Sequence, residues 1–241
     1  MRQIAVVTGA SSGIGRAIAE RLLEMDYMVY GVGRDFSSED CRRMKECFGE
    51  AFLIREMDLL REDAPETIAR ELKELEKEDG ELAVLVNNAG VGYYGLHEEI
   101  SPDKLRRLVR TDLEVPLVLT MLLLRKLKEN SGYVINISSV TAGEKNPHGA
   151  AYGAVKAGLS SFSASLYEEA RKSGLRVTDI RPDMTRTSLY RNADFTCDEG
   201  EGASLFPEDV ADAVEELLKK REGMTVTQLT LQPRYHRIKR I

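Results

Sequence analysis

Tyr152 and Lys156 stand four residues apart in the run A-A-Y-G-A-V-K. On a helix that spacing places both side chains on one face, about 5–6 Å apart at Cβ. A phenol beside an ammonium can work as an acid/base pair. The positive charge stabilises the phenolate, so a tyrosine pKa drawn down towards working pH is expected. Upstream, residues 132–137 (G-Y-V-I-N-I) read as a buried strand ending at Ser138 and Ser139. A strand end, a loop and a helix can bring a serine hydroxyl close to that phenol. Ser139 would then hydrogen-bond a substrate oxygen while Tyr152 exchanges a proton with it. Alone, Y-x-x-x-K is a weak signal, because a solvated tyrosine–lysine pair on any helix shows it.

The N-terminus strengthens the reading. Residues 4–7 form a short apolar run suited to a buried parallel strand. The run T-G-A-S-S-G-I-G follows at 8–15, then a helical pattern over 16–25. Strand, glycine-rich turn and helix form the setting in which backbone can approach a pyrophosphate at a helix N-terminus.

With these motifs the chain resembles the short-chain dehydrogenase/reductase family. The matching pieces run along most of its length: Thr8, Gly9, Gly13 and Gly15 in the turn, Asp58 after the third strand, and Asn87, Asn88, Ala89 and Gly90 after the fourth. Ser139, Tyr152 with Lys156, and Pro182 with Thr187 complete the set. The resemblance implies a nicotinamide-dependent oxidoreductase with a Rossmann-like, doubly wound parallel sheet flanked by helices, residues 1–241 forming one domain. It implies cofactor contacts from Gly9, Ser11, Ser12, Gly13, Ile14, Gly15, Arg34, Asp58, Leu59, Asn88, Ala89, Gly90, Tyr152, Lys156, Pro182 and Thr187. Tyr152 would be the acid/base, Lys156 its charge partner and a ribose ligand, and Ser139 the group that orients the substrate oxygen.

The chain departs from the family pattern at two places. Pro182 is followed by Asp183 where the family usually has glycine, which questions a backbone position that favours φ > 0. Asp112 stands where the family usually has an asparagine of the proton relay. A carboxylate only accepts hydrogen bonds, so the site would adapt through a raised Asp112 pKa or an inserted water. A carboxylate that stays ionised near Lys156 would hold the lysine's charge more firmly. Asp112 is expected to be compatible with catalysis. A non-catalytic dinucleotide-binding sensor is the rival that these departures motivate.

Cofactor choice is read at the end of the second strand, V-G-R-D at 32–35. Gly33 takes the place where NAD-preferring members usually carry an acid, and Arg34 offers a fork suited to phosphate. NADP(H) is expected, with NAD(H) possible through Asp35. A substrate pocket is expected from Tyr93, Tyr94, Val140, His148 and Tyr190, with residues 183–206 as a mobile lid hinged at Gly200 and Gly202. Its aromatic groups suit a small or medium neutral carbonyl compound or secondary alcohol. A 3-oxoacyl-thioester reductase is the alternative, with Arg106, Arg107 and Arg110 as the clustered basic candidates for docking a carrier protein.

Composition agrees with a single α/β domain in 241 residues, 42% of them hydrophobic. A net charge of −6 argues against a nucleic-acid surface, and no apolar run reaches the length of a membrane span. Three cysteines in no metal spacing suit a reducing compartment, so a cytoplasmic location is expected, with no metal site. His97, His148 and His236 are scattered and read as solvated, and the basic tail 234–240 as a solvated or interface-packing segment.

Further strands are expected at 27–33, 51–57, 82–86, 175–180 and 225–231, and further helices at 40–48, 62–78, 102–129 and 207–221. Ser101 suits an N-cap and Pro102 the first helical position, and a kink is expected near Pro116. Apolar stripes, Leu117–Met121–Leu124 and Leu159–Phe162–Leu166, suggest a homo-oligomer, and the family resemblance implies a dimer or a tetramer. All the motifs start at strand ends, so they are expected to converge on one edge of the sheet.

Overall fold

The structure is a computed structural model that describes residues 2–78, 80–221 and 223–240. Seven parallel strands form the central sheet in the order β3-β2-β1-β4-β5-β6-β8. They are β1 (Arg2–Thr8), β2 (Met28–Gly33), β3 (Phe52–Glu56), β4 (Gly80–Asn87), β5 (Tyr133–Ile137), β6 (Arg176–Pro182) and β8 (Gln228–Leu231). Strand order reverses between β1 and β4, so a crevice opens at their carboxyl ends.

The period-two alternation of the strands divides the core between the two faces. Ala5 and Val7 of β1 point to one face, where they meet α1 (Gly13–Glu24), α2 (Glu39–Phe48) and α7 (Pro207–Leu218) through Ile18, Leu22, Met44, Val210 and Val214. Ile4 and Val6 point to the other, against α3 (Ala64–Glu78), α5 (Val115–Glu129) and α6 (Ala150–Ala170) through Ile68, Leu72, Leu119, Leu123 and Leu166. These apolar residues are buried and lie on both faces, as a doubly wound sheet requires.

Ser101 caps α4 (Pro102–Val109) by accepting the Lys104 N–H at 3.4 Å, and Pro102 occupies the first turn. The irregularity expected near Pro116 in the helix 102–129 takes the form of a π-helical turn, Arg110–Glu114, that separates α4 from α5. Pro116 follows it in the first turn of α5, where a missing N–H costs little. Two short strands were not anticipated. β7 (Phe195–Cys197) and β9 (Ile238–Arg240) pair antiparallel in a small sheet of their own. The tail is therefore part of the fold, laid over the segment that follows β6. Among the described residues no helix is long and apolar enough to cross a membrane.

Candidate active site

The turn after β1 is held against the end of β4. Thr8 Oγ1 accepts the N–H groups of Asn88 and Ala89, both at 3.0 Å, and Asn88 Nδ2 donates to the Thr8 carbonyl at 2.9 Å. Gly9 has φ +71° and Gly15 approaches its carbonyl so closely that a Cβ there would lie 2.2 Å from the Gly9 oxygen. Only glycine fits either position. Ser12 at the N-cap of α1 makes no side-chain capping bond, so the first N–H groups of that helix are left for an anion.

A single cavity of about 630 Å³ runs from this turn to the segment after β6. Gly9, Ser11, Ser12, Gly13, Ile14, Arg34, Asp58, Leu59, Asn88, Ala89, Gly90, Pro182 and Thr187 line it, while Gly15 lies behind the wall. At the β2 end a Cβ on Gly33 would meet Ser11 atoms at 2.8 Å, so an acidic side chain has no room there. Asp35 accepts the Ser37 N–H at 2.8 Å, and the Ser37 hydroxyl together with that N–H holds its carboxyl below the usual range. Arg34 lines the cavity and makes no ion pair among the described residues. The residues present fit a dinucleotide: a turn shaped for phosphate at one end and a free guanidinium beside it.

Ser139, Tyr152 and Lys156 all line the same cavity. Ser139 follows the buried strand β5 in extended backbone, and its Oγ accepts the Thr141 N–H at 3.2 Å. Tyr152 and Lys156 lie one turn apart on α6, with the ammonium 5.6 Å from the phenol ring centroid. Lys156 Nζ donates to the Ile137 carbonyl at 3.1 Å and pairs with Asp112 Oδ2 at 3.1 Å. Asp112 is fully buried, does not line the cavity, and takes the Val91 N–H on Oδ1 at 2.8 Å. The π turn aims it there, consistent with the use of such turns at functional positions. Burial pushes the Asp112 carboxyl up, with Lys156 opposing.

The expected lowering of the Tyr152 pKa is not what this geometry gives. Burial raises it well above the ordinary tyrosine value, and Tyr94, Asp112 and Tyr190 push the same way. Hydrogen bonding with Ser139 acts in the opposite direction. Lys156 is held by Asp112 and the Ile137 carbonyl.

The pocket over Tyr152 is aromatic. The Tyr94 ring centroid lies 5.6 Å from Tyr152, 6.1 Å from Tyr190 and 5.0 Å from Phe195. Tyr93, Tyr94, Val140 and Tyr190 line the cavity, together with Leu189 and Phe195. His148 does not. It sits in an exposed loop at φ +62°, where only its carbonyl is used, accepting the Gly95 N–H at 2.7 Å. Of the lid acids, Asp194, Asp198, Glu199 and Glu201 stay off the cavity wall.

Asp183 does not adopt the left-handed backbone that a glycine would have allowed. Positive φ among the described non-glycine residues is confined to Asp26, Ser131 and His148. The Asp183 N–H donates to the Leu231 carbonyl at 2.9 Å, extending the β6–β8 ladder. Its carboxylate meets His236 of the tail, whose Nδ1 lies 2.9 and 3.0 Å from the two oxygens. His236 is thus a cavity residue, not a merely solvated one. Asp179 on β6 was also missed. It accepts from Ser138, from Ser160 at 2.5 Å and from Arg181 Nε at 2.8 Å, tying β5's end to α6 one turn beyond Lys156. Nothing in a lone aspartate within an apolar strand pattern marks that role in advance.

Fold and site together define a dinucleotide-type oxidoreductase: a crevice at a topological switch point, a glycine turn, and a Ser–Tyr–Lys set at the far end. The chain belongs to the short chain dehydrogenase family, whose model matches residues 3–197. It is 30% identical over 232 residues to an uncharacterized oxidoreductase of Staphylococcus epidermidis, covering 96% of this chain and 97% of that one. It is 30% identical over 221 residues to the NADP-dependent 3-hydroxy acid dehydrogenase YdfG of Escherichia coli, covering 88% and 87%. Among solved structures it resembles a metagenomic short-chain oxidoreductase in complex with NADP, with a TM-score of 0.80, 30% identity, and 96% of each chain covered.

Proposed function

We propose that the protein is an NADP(H)-dependent oxidoreductase that interconverts a small or medium neutral carbonyl compound and its secondary alcohol. The observation that carries this is the convergence of Ser139, Tyr152 and Lys156 on one cavity whose other end is the glycine turn with Arg34 beside it. The nicotinamide supplies or accepts the hydride when bound. In carbonyl reduction Tyr152 gives its phenolic proton to the substrate oxygen, and Ser139 hydrogen-bonds the same oxygen. Lys156 is fixed by Asp112 and the Ile137 carbonyl, so its ammonium keeps one place through the cycle. The aromatic wall of Tyr94, Tyr190 and Phe195 excludes water and favours an apolar body.

NADP(H) is supported by Arg34, by the absence of room for an acid at residue 33, and by the NADP named for YdfG and for the metagenomic enzyme. The test is a panel of ketones, aldehydes and alcohols with each cofactor, read by the absorbance of the reduced nicotinamide. Turnover of neutral carbonyls with NADPH is expected. Turnover confined to acetoacetyl thioesters would instead favour a 3-oxoacyl-thioester reductase. That reading is weakened by Arg106 and Arg110, which are paired with Asp103 and Glu114 and leave Arg107 for the cavity wall.

A homo-oligomer is part of the same reading. Met121 on α5 is 62% exposed beside half-buried Leu117, whereas Leu159 and Leu166 of α6 are consumed within their own subunit. A dimeric or tetrameric mass by light scattering is the expected result, and a monomer at micromolar concentration would remove this part.

A further inference from the structure

The cavity wall holds one group that the roles above do not use. His236 reaches it from the tail, which is strapped to the lid by backbone bonds. Tyr235 N–H donates to the Gly202 carbonyl at 2.8 Å, Arg237 N–H to Ala203 at 3.3 Å, and Asp198 N–H to Arg237 at 3.4 Å. Asp183, with a side chain 4% exposed, receives the imidazole on both oxygens. An ionised carboxylate only accepts, so Nδ1 carries the hydrogen, and the ring's tautomer and orientation follow. Nε2 lies on the opposite edge of the ring. Among the described residues it has no hydrogen-bond partner.

We propose that His236 is a specificity-determining residue whose Nε2 hydrogen-bonds a second hydroxyl on the substrate, so that the site selects a hydroxyketone or the matching diol over the unsubstituted compound. This rests on the carbonyl/alcohol reading given under Proposed function. The wall beside Tyr152 is formed by the rings of Tyr94, Tyr190 and Phe195, whereas the imidazole of His236 is 58% exposed at the side chain, lines the cavity and is fixed in orientation by Asp183. A carboxylate in the same place would face the Asp183 charge directly behind the ring. Of the nearby guanidinium groups, Arg186 is bonded to Ser204 and the Glu199 carbonyl, Arg191 to Ser188, and Arg237 stands over the Tyr235 ring. A hydroxyl both donates and accepts, so it suits the ring in either protonation state.

The experiment compares 2-butanone, 4-hydroxy-2-butanone and acetoacetate with NADPH, in the full chain and in His236→Phe, which keeps a ring of similar size. The wild type should favour the hydroxyketone over 2-butanone by about fivefold in kcat/KM, the scale of one hydrogen bond. His236→Phe should lose that preference through KM, leaving kcat on 2-butanone and NADPH affinity by fluorescence unchanged. An equal loss on both ketones, weakened NADPH binding, or a preference for acetoacetate would overturn the proposal. A second readout needs no turnover. The chain has three histidines, so ring ¹⁵N resonances can be assigned by single substitutions. In the NADPH complex, where an alcohol has no hydride acceptor, 1,3-butanediol should shift His236 Nε2 and 2-butanol should not; equal responses, or none, would overturn it. If no ketone is reduced but the diol shift appears, the reaction reading fails and the recognition role of His236 stands.

Discussion

The two ends of the cavity are walled differently. At the β1–β4 end the wall is mostly backbone: Gly9 with Gly15 packed close behind it, Thr8 locking Asn88 and Ala89, and the open N–H groups of α1. At the lid end it is side chains drawn from distant parts of the chain, Tyr94, Tyr190, Phe195 and His236, stacked or hydrogen-bonded to one another and to Asp183. Backbone geometry recognises a group common to all substrates of a cofactor-dependent enzyme. Side chains on an added layer can change without disturbing the sheet, and that is where choice of substrate belongs. Tyr152, Lys156 and Ser139 stand at the seam between the two.

Cutting the seam itself should have the largest effect. Tyr152→Phe removes the proton donor and is expected to lower kcat by about 10²–10⁴-fold with cofactor affinity retained, read by steady-state rates beside NADPH fluorescence titration. Retention of most of the wild-type kcat would move the acid/base role elsewhere. Next comes the backbone end. Gly15→Ala places a methyl against the Gly9 carbonyl and should destabilise the fold by about 1–3 kcal/mol while abolishing measurable NADPH binding. Thermal melting with and without NADPH checks it, since the variant should lose the ligand-induced rise in Tm. If the variant keeps that rise, the backbone is more adaptable than the contrast allows.

Arg34→Ala tests whether the backbone end also holds a side-chain discriminator. Loss of a charge-assisted bond to a ribose phosphate should cut the NADPH-over-NADH ratio of kcat/KM by roughly tenfold to a hundredfold. A wild type that prefers NADH would reverse the cofactor assignment.

Asp112→Asn should have the smallest effect, less than about tenfold in kcat/KM, because Ser139, Tyr152 and Lys156 all remain. Its sharper signature is in pH. The Asp112 charge helps to hold the Tyr152 pKa up, so removing it lowers that pKa. Reduction needs the phenol and oxidation the phenolate. Both the falling limb of carbonyl reduction and the rising limb of alcohol oxidation should therefore move to lower pH in the variant. A shift to higher pH would mean that Asp112 acts mainly through Lys156 rather than on the phenol directly.

What could be read in advance divides along the same line. The glycine turn and the Tyr152–Lys156 spacing are local, so periodicity and short spacing reveal them, and six of the seven sheet strands fall close to where the apolar runs lie. The seventh, β8, begins at Gln228, later than the apolar pattern indicates. The π turn is invisible because residues 102–129 keep a helical composition throughout. β7 and β9 have three residues each, too few to show alternation. Asp183 and His236 are 53 positions apart, and nothing in either neighbourhood signals the other. The phenol's raised pKa could not be foreseen from Lys156 alone, since it comes chiefly from burial of the ring in the folded pocket, with Tyr94 and Asp112 adding to it.

The pairing of β9 with β7 has a practical bearing on how the protein is handled. A polypeptide joined after residue 240 would leave from the rim of the lid, a few residues beyond the imidazole that reaches Asp183. One joined ahead of β1 would leave from the opposite, amino-terminal edge of the sheet. An affinity tag is therefore best placed at the amino end. Comparing KM between enzymes tagged at either end would measure how tightly the final strand governs entry to the pocket.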